Sequence, residues 1–142
     1  MPKWIAIAGV LGLLASTTAH ANEDQAETCV RAKVWDGYGQ GWAIRTMTTA
    51  SLTSGATKNY MVTLYAGNEY QIQACGDSNV RNLDLLLYDT DGRIVARDDS
   101  KSREPIFTFK PKKTTTFYVV VYGQQLVDAS EPAGVGVAVS YR

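Results

Sequence analysis

The chain has 142 residues, with 14 basic and 14 acidic side chains and a formal net charge of zero. A neutral chain lacks the basic footprint that nucleic acids require, so DNA and RNA are excluded as partners. The single histidine, His20, lies in a segment expected to be removed, leaving no histidine for general acid–base catalysis or for zinc and iron sites.

The first residues read as an export signal. Met1-Pro2-Lys3 supplies a basic start, and an apolar run follows from Trp4 to Ala15. Ala19-His20-Ala21 then gives the small-x-small pattern of a cleavage site. The run is about a dozen residues, short of the roughly 20 that span a bilayer. The expected organisation is a signal peptide over 1–21, a helix with a glycine-rich turn over 22–42, and a β-domain over 43–142. The mature protein would begin near Asn22 and be periplasmic or secreted. No later segment is long and apolar enough to span a membrane.

Asn22 to Tyr38 reads as a helix. Ala26, Val30, Val34 and Tyr38 recur every fourth residue, with Cys29 beside Val30 on the same face. Asn22 or Asp24 can cap its start, and Gly37, Gly39 and Gly41 end it. Cys29 and Cys75 are the only cysteines. In an oxidising compartment a lone pair most simply forms a disulfide. Here that bridge would tie the helix to the body and consume the only thiol nucleophiles.

Beyond Ala43 the period changes to two. Strands are expected over 46–52, 60–65, 69–75, 83–88, 93–97, 106–110, 116–122 and 135–141. Tyr70, Ile72 and Ala74 share one face, and so do Leu83, Leu85 and Leu87. Asp89-Thr90-Asp91-Gly92 is a hairpin turn in which Gly92 takes positive φ. About eight short strands separated by turns indicate an antiparallel sandwich or barrel.

Three segments resemble the bacterial pre-peptidase C-terminal domain. They are Tyr60 to Tyr70 with its Ala66-Gly67 turn, Asn82 to Gly92 continuing to Ala96-Arg97-Asp98-Asp99, and Thr114 to Gly123. The likeness spans about Leu52 to Tyr141. Asn82 stands where the family often has aspartate, Leu86 where it often has an aromatic, and Thr115 where it often has glycine. The resemblance implies a mainly β, antiparallel jelly-roll-like β-sandwich, here with one N-terminal helix. It also implies binding of substrate or matrix, and in some members calcium.

The acidic stretch offers Asp84, Asp89, Asp91, Asp98 and Asp99 as calcium ligands, since that ion takes six to eight oxygens. The same aspartates suit hairpin and loop shaping, with Arg93, Arg97, Lys101 and Arg103 nearby to neutralise them. Asp77 lies in the same stretch, and Asp84 suits pinning a loop through backbone donors. No other cofactor is implied. Trp35, Tyr38 and Trp42 gather where the helix gives way to the first strand, and such aromatics can stack on a sugar or anchor a protein partner. Helix packing would use them equally well.

No catalytic constellation is present, so an enzyme is not expected. The leading expectation is an exported module binding an envelope or extracellular polymer, glycan or matrix. The alternatives are a protein-interaction factor, such as a periplasmic inhibitor or immunity protein, and a calcium-stabilised structural domain. A flat aromatic strip would favour a glycan, whereas a protruding loop such as Gln124 to Pro132 would favour a protein's cleft.

Overall fold

A computed structural model describes residues 22–142, preceded by Gly9 alone. The expected signal peptide lies outside the described residues. Those residues form one helix, α1 (Glu23–Tyr38), and eight strands. The strands are β1 (Ala43–Leu52), β2 (Thr57–Leu64), β3 (Tyr70–Gly76), β4 (Val80–Tyr88), β5 (Ile94–Asp98), β6 (Ile106–Phe109), β7 (Thr115–Leu126) and β8 (Ala133–Tyr141). They build two antiparallel four-stranded sheets in the orders β1-β8-β3-β6 and β2-β7-β4-β5. That alternation of the chain between sheets is the strand order of a jelly roll.

Period-two patterning decides the core. Tyr70, Ile72 and Ala74 from one sheet face Leu83, Leu85 and Leu87 from the other, all fully buried. Val119 and Val121 of β7 and Val135, Val137 and Val139 of β8 fill the same space. The buried Tyr70 hydroxyl accepts from Tyr65 N (2.8 Å) and Asn68 Nδ2 (3.3 Å), so the β2–β3 turn satisfies a polar group that would otherwise be stranded. Gly92 has φ 77°, as its hairpin requires.

β1, β2 and β8 start two or three residues earlier than expected, and two further boundaries move together. β7 continues through Gly123-Gln124-Gln125-Leu126, and β4 starts at Val80. The two extensions pair with each other, Val80 opposite Leu126 and Asn82 opposite Gln125, across irregular register. Asn82 Nδ2 donates to Gln124 Oε1 (2.9 Å) to bridge them.

The outer face of β3 and β8 is covered by α1. Asn22 caps the helix, its Oδ1 accepting from Gln25 N at 2.9 Å. Ala26 and Val30 are fully buried against β8. A Cβ on Gly136 would lie 2.8 Å from Val30 Cγ1 and 3.0 Å from the Ala26 carbonyl, so the helix rests on bare backbone. Tyr38 departs from the expected buried stripe and is 66% exposed. Steps of four residues advance about 40° beyond a full turn, so the stripe rotates away from the sheet after three of them.

Candidate functional site

The C-terminal half of α1 carries the most exposed aromatic surface of the described residues. Trp35 and Tyr38, three apart on one helix face, are 67% and 66% exposed. Their rings meet edge to face, with centroids 6.1 Å apart and planes 79° apart. Val34 and Ile44, the latter 46% exposed on β1, line a shallow apolar depression with them.

Several contacts fix this surface. Cys29 and Cys75 are joined in a disulfide, which clamps α1 to β3 as expected. Lys33 Nζ pairs with Glu104 Oε2 at 3.3 Å, tying the helix to the segment before β6. Glu104 Oε1 also lies 3.3 Å from Cys29 Sγ. A disulfide sulfur has no hydrogen to donate, so this is a packing contact. These two cysteines and Glu104 are also the one group of potential ligands that converges at metal-binding distance among the described residues. With both sulfurs committed to the disulfide, it is not a metal site.

Trp42 corrects the expected aromatic trio. It is buried, 4% exposed, and the Arg142 guanidinium stacks on it 4.2 Å from the ring centroid. Gly41 (φ 92°) turns the chain after the helix, and Trp42 N donates back to the Gly37 carbonyl at 3.0 Å. The indole therefore packs beneath a capping arginine while Trp35 and Tyr38 face solvent. Arg142 is held in turn by Glu69, with its Nε 3.0 Å from Oε1. Burial alone would raise the Glu69 pKa, but hydrogen bonds and charge from Arg142 and Lys110 hold it below the usual value.

The five candidate calcium ligands do not converge. Asp89 Oδ1 accepts from Asp91 N and Arg93 N, both at 2.9 Å, and shapes the β4–β5 hairpin; Asp91 is exposed there. Asp84, Asp98 and Asp99 sit at the opposite end of those strands, and Asp99 pairs loosely with Arg97 at 3.9 Å. Asp98 accepts from Ser100 N, Ser100 Oγ and Ile106 N. Burial raises its pKa, but those donors outweigh it and leave the carboxyl lowered. Burial first, then the charges of Asp99 and Asp98, raise the pKa of Asp84. Among the described residues no three of these carboxylates come within mutual ligand distance. The structure does not bring the five expected calcium ligands together: Asp89 and Asp98 are occupied by backbone donors that order loops.

The loop-pinning role expected of Asp84 belongs instead to Asp77. That carboxylate is 3% exposed and accepts from Asn22 N, Asn79 N and Gly134 N. Its neighbour Asn79 organises the loop before β8. Asn79 Oδ1 accepts from Asp128 N (2.8 Å), and its Nδ2 reaches the carbonyls of Asp128, Glu131 and Pro132 at 3.1–3.2 Å. Val127 is held 56% exposed on this loop, beside Asp128. The Ser130 hydroxyl and amide lower the Asp128 pKa, and burial opposes them weakly. Nothing local in sequence marks Asn79, because its partners lie about fifty residues away.

No family model matches the chain, and no curated protein matches it. Two examples show the fold among solved structures similar to this chain. One is PliG of Aeromonas hydrophila, a periplasmic inhibitor of g-type lysozyme, 19% identical with a TM-score of 0.55; the match covers 70% of this chain and 88% of that one. The other is the pre-peptidase C-terminal domain of a Bacillus anthracis collagenase, 17% identical with a TM-score of 0.52, covering 68% and 89% respectively. Identities this low speak to architecture alone. Among the described residues no helix is long and apolar enough to cross a membrane. In fold, the chain is similar to the pre-peptidase C-terminal domain, a resemblance carried by structure.

Proposed function

We propose that this chain is a non-catalytic, exported binding module whose target is a protein, engaged through Trp35, Tyr38 and Ile44. The observation that carries the reading is a set of large apolar side chains held exposed on a helix that is itself clamped by a disulfide and an ion pair. Tryptophan and tyrosine are the residues on which protein interfaces most often concentrate their binding energy. A rigid display loses little entropy on association. The two rings are nearly perpendicular, so they do not offer the coplanar platform on which a sugar chain would lie. This geometry favours a protein over the polymer that the sequence suggested first.

The fold likeness to a periplasmic lysozyme inhibitor supports an exported enzyme as the kind of partner. The loop from Val127 to Pro132, ordered by Asn79, carries Asp128 and Glu131 and is exposed over residues 127–130, so it offers a second surface for a partner.

The test begins by capturing partners of residues 22–142 from cell envelope and culture medium, then titrating any recovered protein by calorimetry. Trp35→Ala/Tyr38→Ala is expected to melt like the parent and to bind at least about 30-fold more weakly, as loss of interface anchors requires. Equal affinity of the variant refutes the surface. Retention on insoluble wall with no protein partner refutes the target class.

A further inference from the structure

The entry into α1 is held more tightly than an ordinary helix start. The Asn22 nitrogen lies 3.0 Å from Asp77 Oδ2. That oxygen also accepts from Gly134 N at 2.7 Å, and Oδ1 accepts from Asn79 N at 2.9 Å. The Asn22 carbonyl rests against Gly134, where any side chain would collide with it. The same carbonyl accepts from Ala26 N, and Gln25 Oε1 accepts from Ser78 N at 2.8 Å. Residue 22 is thus seated by α1, by the β3–β4 connection and by the start of β8.

Asp77 has no cationic partner among the described residues. Its hydrogen bonds all come from backbone N–H groups, those of Asn22, Asn79 and Gly134. The sequence places its expected cleavage between Ala21 and Asn22, at the nitrogen that contacts this carboxylate. Hydrolysis of that bond adds one water: the oxygen goes to the Ala21 carbonyl, and the Asn22 nitrogen leaves as an amine that takes up a proton at neutral pH.

We infer that Asp77 is the counter-ion of the mature N-terminus, so that removal of the leader converts an amide contact at Asn22 into an ion pair whose carboxylate is buried. This rests on the exported reading of the chain. An ammonium donor adds charge attraction to a bond whose acceptor is already a carboxylate, so maturation strengthens the anchoring of α1, the helix that displays Trp35 and Tyr38. The other acids on the adjoining segments, Glu23, Asp24 and Glu27 on α1 and Asp128 and Glu131 before β8, also favour an ammonium, and the one cation at the start of β4, Arg81, is exposed. Arg103 is exposed and offers its carbonyl, which accepts from Gly76 N.

A cation gaining a partner has a raised pKa in the folded state. Its stabilisation is complete below the ordinary α-amine value of about 7.7–8.0 and is lost as pH rises through the raised one.

Two measurements test the inference. N-terminal sequencing of the exported protein should begin at Asn22. Thermal melts should then compare residues 22–142 bearing a free amine with the same chain acetylated at Asn22. The free amine is expected to melt about 3 °C or more higher at pH 6, with the gap closing towards pH 10. Asp77→Asn should remove the gap; if that variant does not fold, the acetylation comparison decides alone. A cut chain that begins at Asn22 but melts identically in both forms refutes the ion pair and leaves export standing. A chain recovered uncut inside the cell refutes the export reading with it, and a start elsewhere refutes the assignment of Asn22.

Discussion

Replacing both cysteines, Cys29→Ala/Cys75→Ala, should cost this protein a large share of its stability without changing its fold. The bridge closes a loop with a sequence separation of 46 residues. On the chain-entropy relation, a loop of that size removes unfolded-state freedom worth about 4 kcal/mol. Domains are typically stable by only about 5–15 kcal/mol. For a domain of this size each kcal/mol moves the melting point by about 4 °C, so a fall of about 15 °C is expected. The fold should survive because the sandwich core lies between the sheets, away from Cys29. The damage should concentrate on the middle of α1, which would keep the packing of Ala26 and Val30, the Lys33–Glu104 pair and the contacts of Asn22 and Gln25 at its start but lose its covalent tie. Calorimetry with and without reductant gives the global effect, and amide exchange along residues 23–38 gives the local one. A double variant melting within about 3 °C of the parent, or one whose α1 amides exchange no faster, would refute the view that the bridge clamps the helix.

Gly136→Ala should destabilise by about 1–3 kcal/mol, since the new methyl meets the Ala26 carbonyl, a backbone atom that cannot rotate away; chemical denaturation would read the loss. Asn79→Ala strands an amide and three carbonyls around residues 128–132 and should cost about 1–3 kcal/mol, with faster exchange confined to that loop. The raised pKa of Asp84, due to burial and then to Asp99 and Asp98, means that its ionisation subtracts stability as pH rises through the folded value. Asp84→Asn should therefore melt above the parent at neutral pH and lose that advantage at about pH 3, below the ordinary carboxyl value. A variant that melts lower at both pH values would show that the charge is compensated.

The strands were legible where one face is apolar and the other is not. Leu83, Leu85 and Leu87 alternate cleanly, and so do Tyr70, Ile72 and Ala74; each trio lies fully inside. The end of β7 was hidden because glycine and two glutamines have little intrinsic preference for a strand; pairing with residues 80–82 decides their state. Trp42 was misplaced for a similar reason. Its covering group, Arg142, is the last residue of the chain, and no local pattern links the two. Asp77 and Asn79 looked like two more polar residues in a loop. Their partners are residues 22, 128, 131, 132 and 134, brought together only by the jelly-roll crossing.

The placement of the disulfide bears on what the exposed aromatics are for. The sandwich closes its own core between the sheets, so α1 is an addition laid on an outer face. One stripe of it suffices to cover β3 and β8, and Ala26, Cys29 and Val30 supply that stripe. Trp35 lies about 180° from Ala26 around the helix axis and contributes nothing to the cover. A helix serving only as a lid would gain from polar residues at positions 35 and 38, which face water. Large aromatics there, on an element fixed by a covalent bridge, fit the proposed association with a partner. Their edge-to-face arrangement with Ile44 beside them suits the irregular surface of a folded protein better than the flat repeat of a polymer.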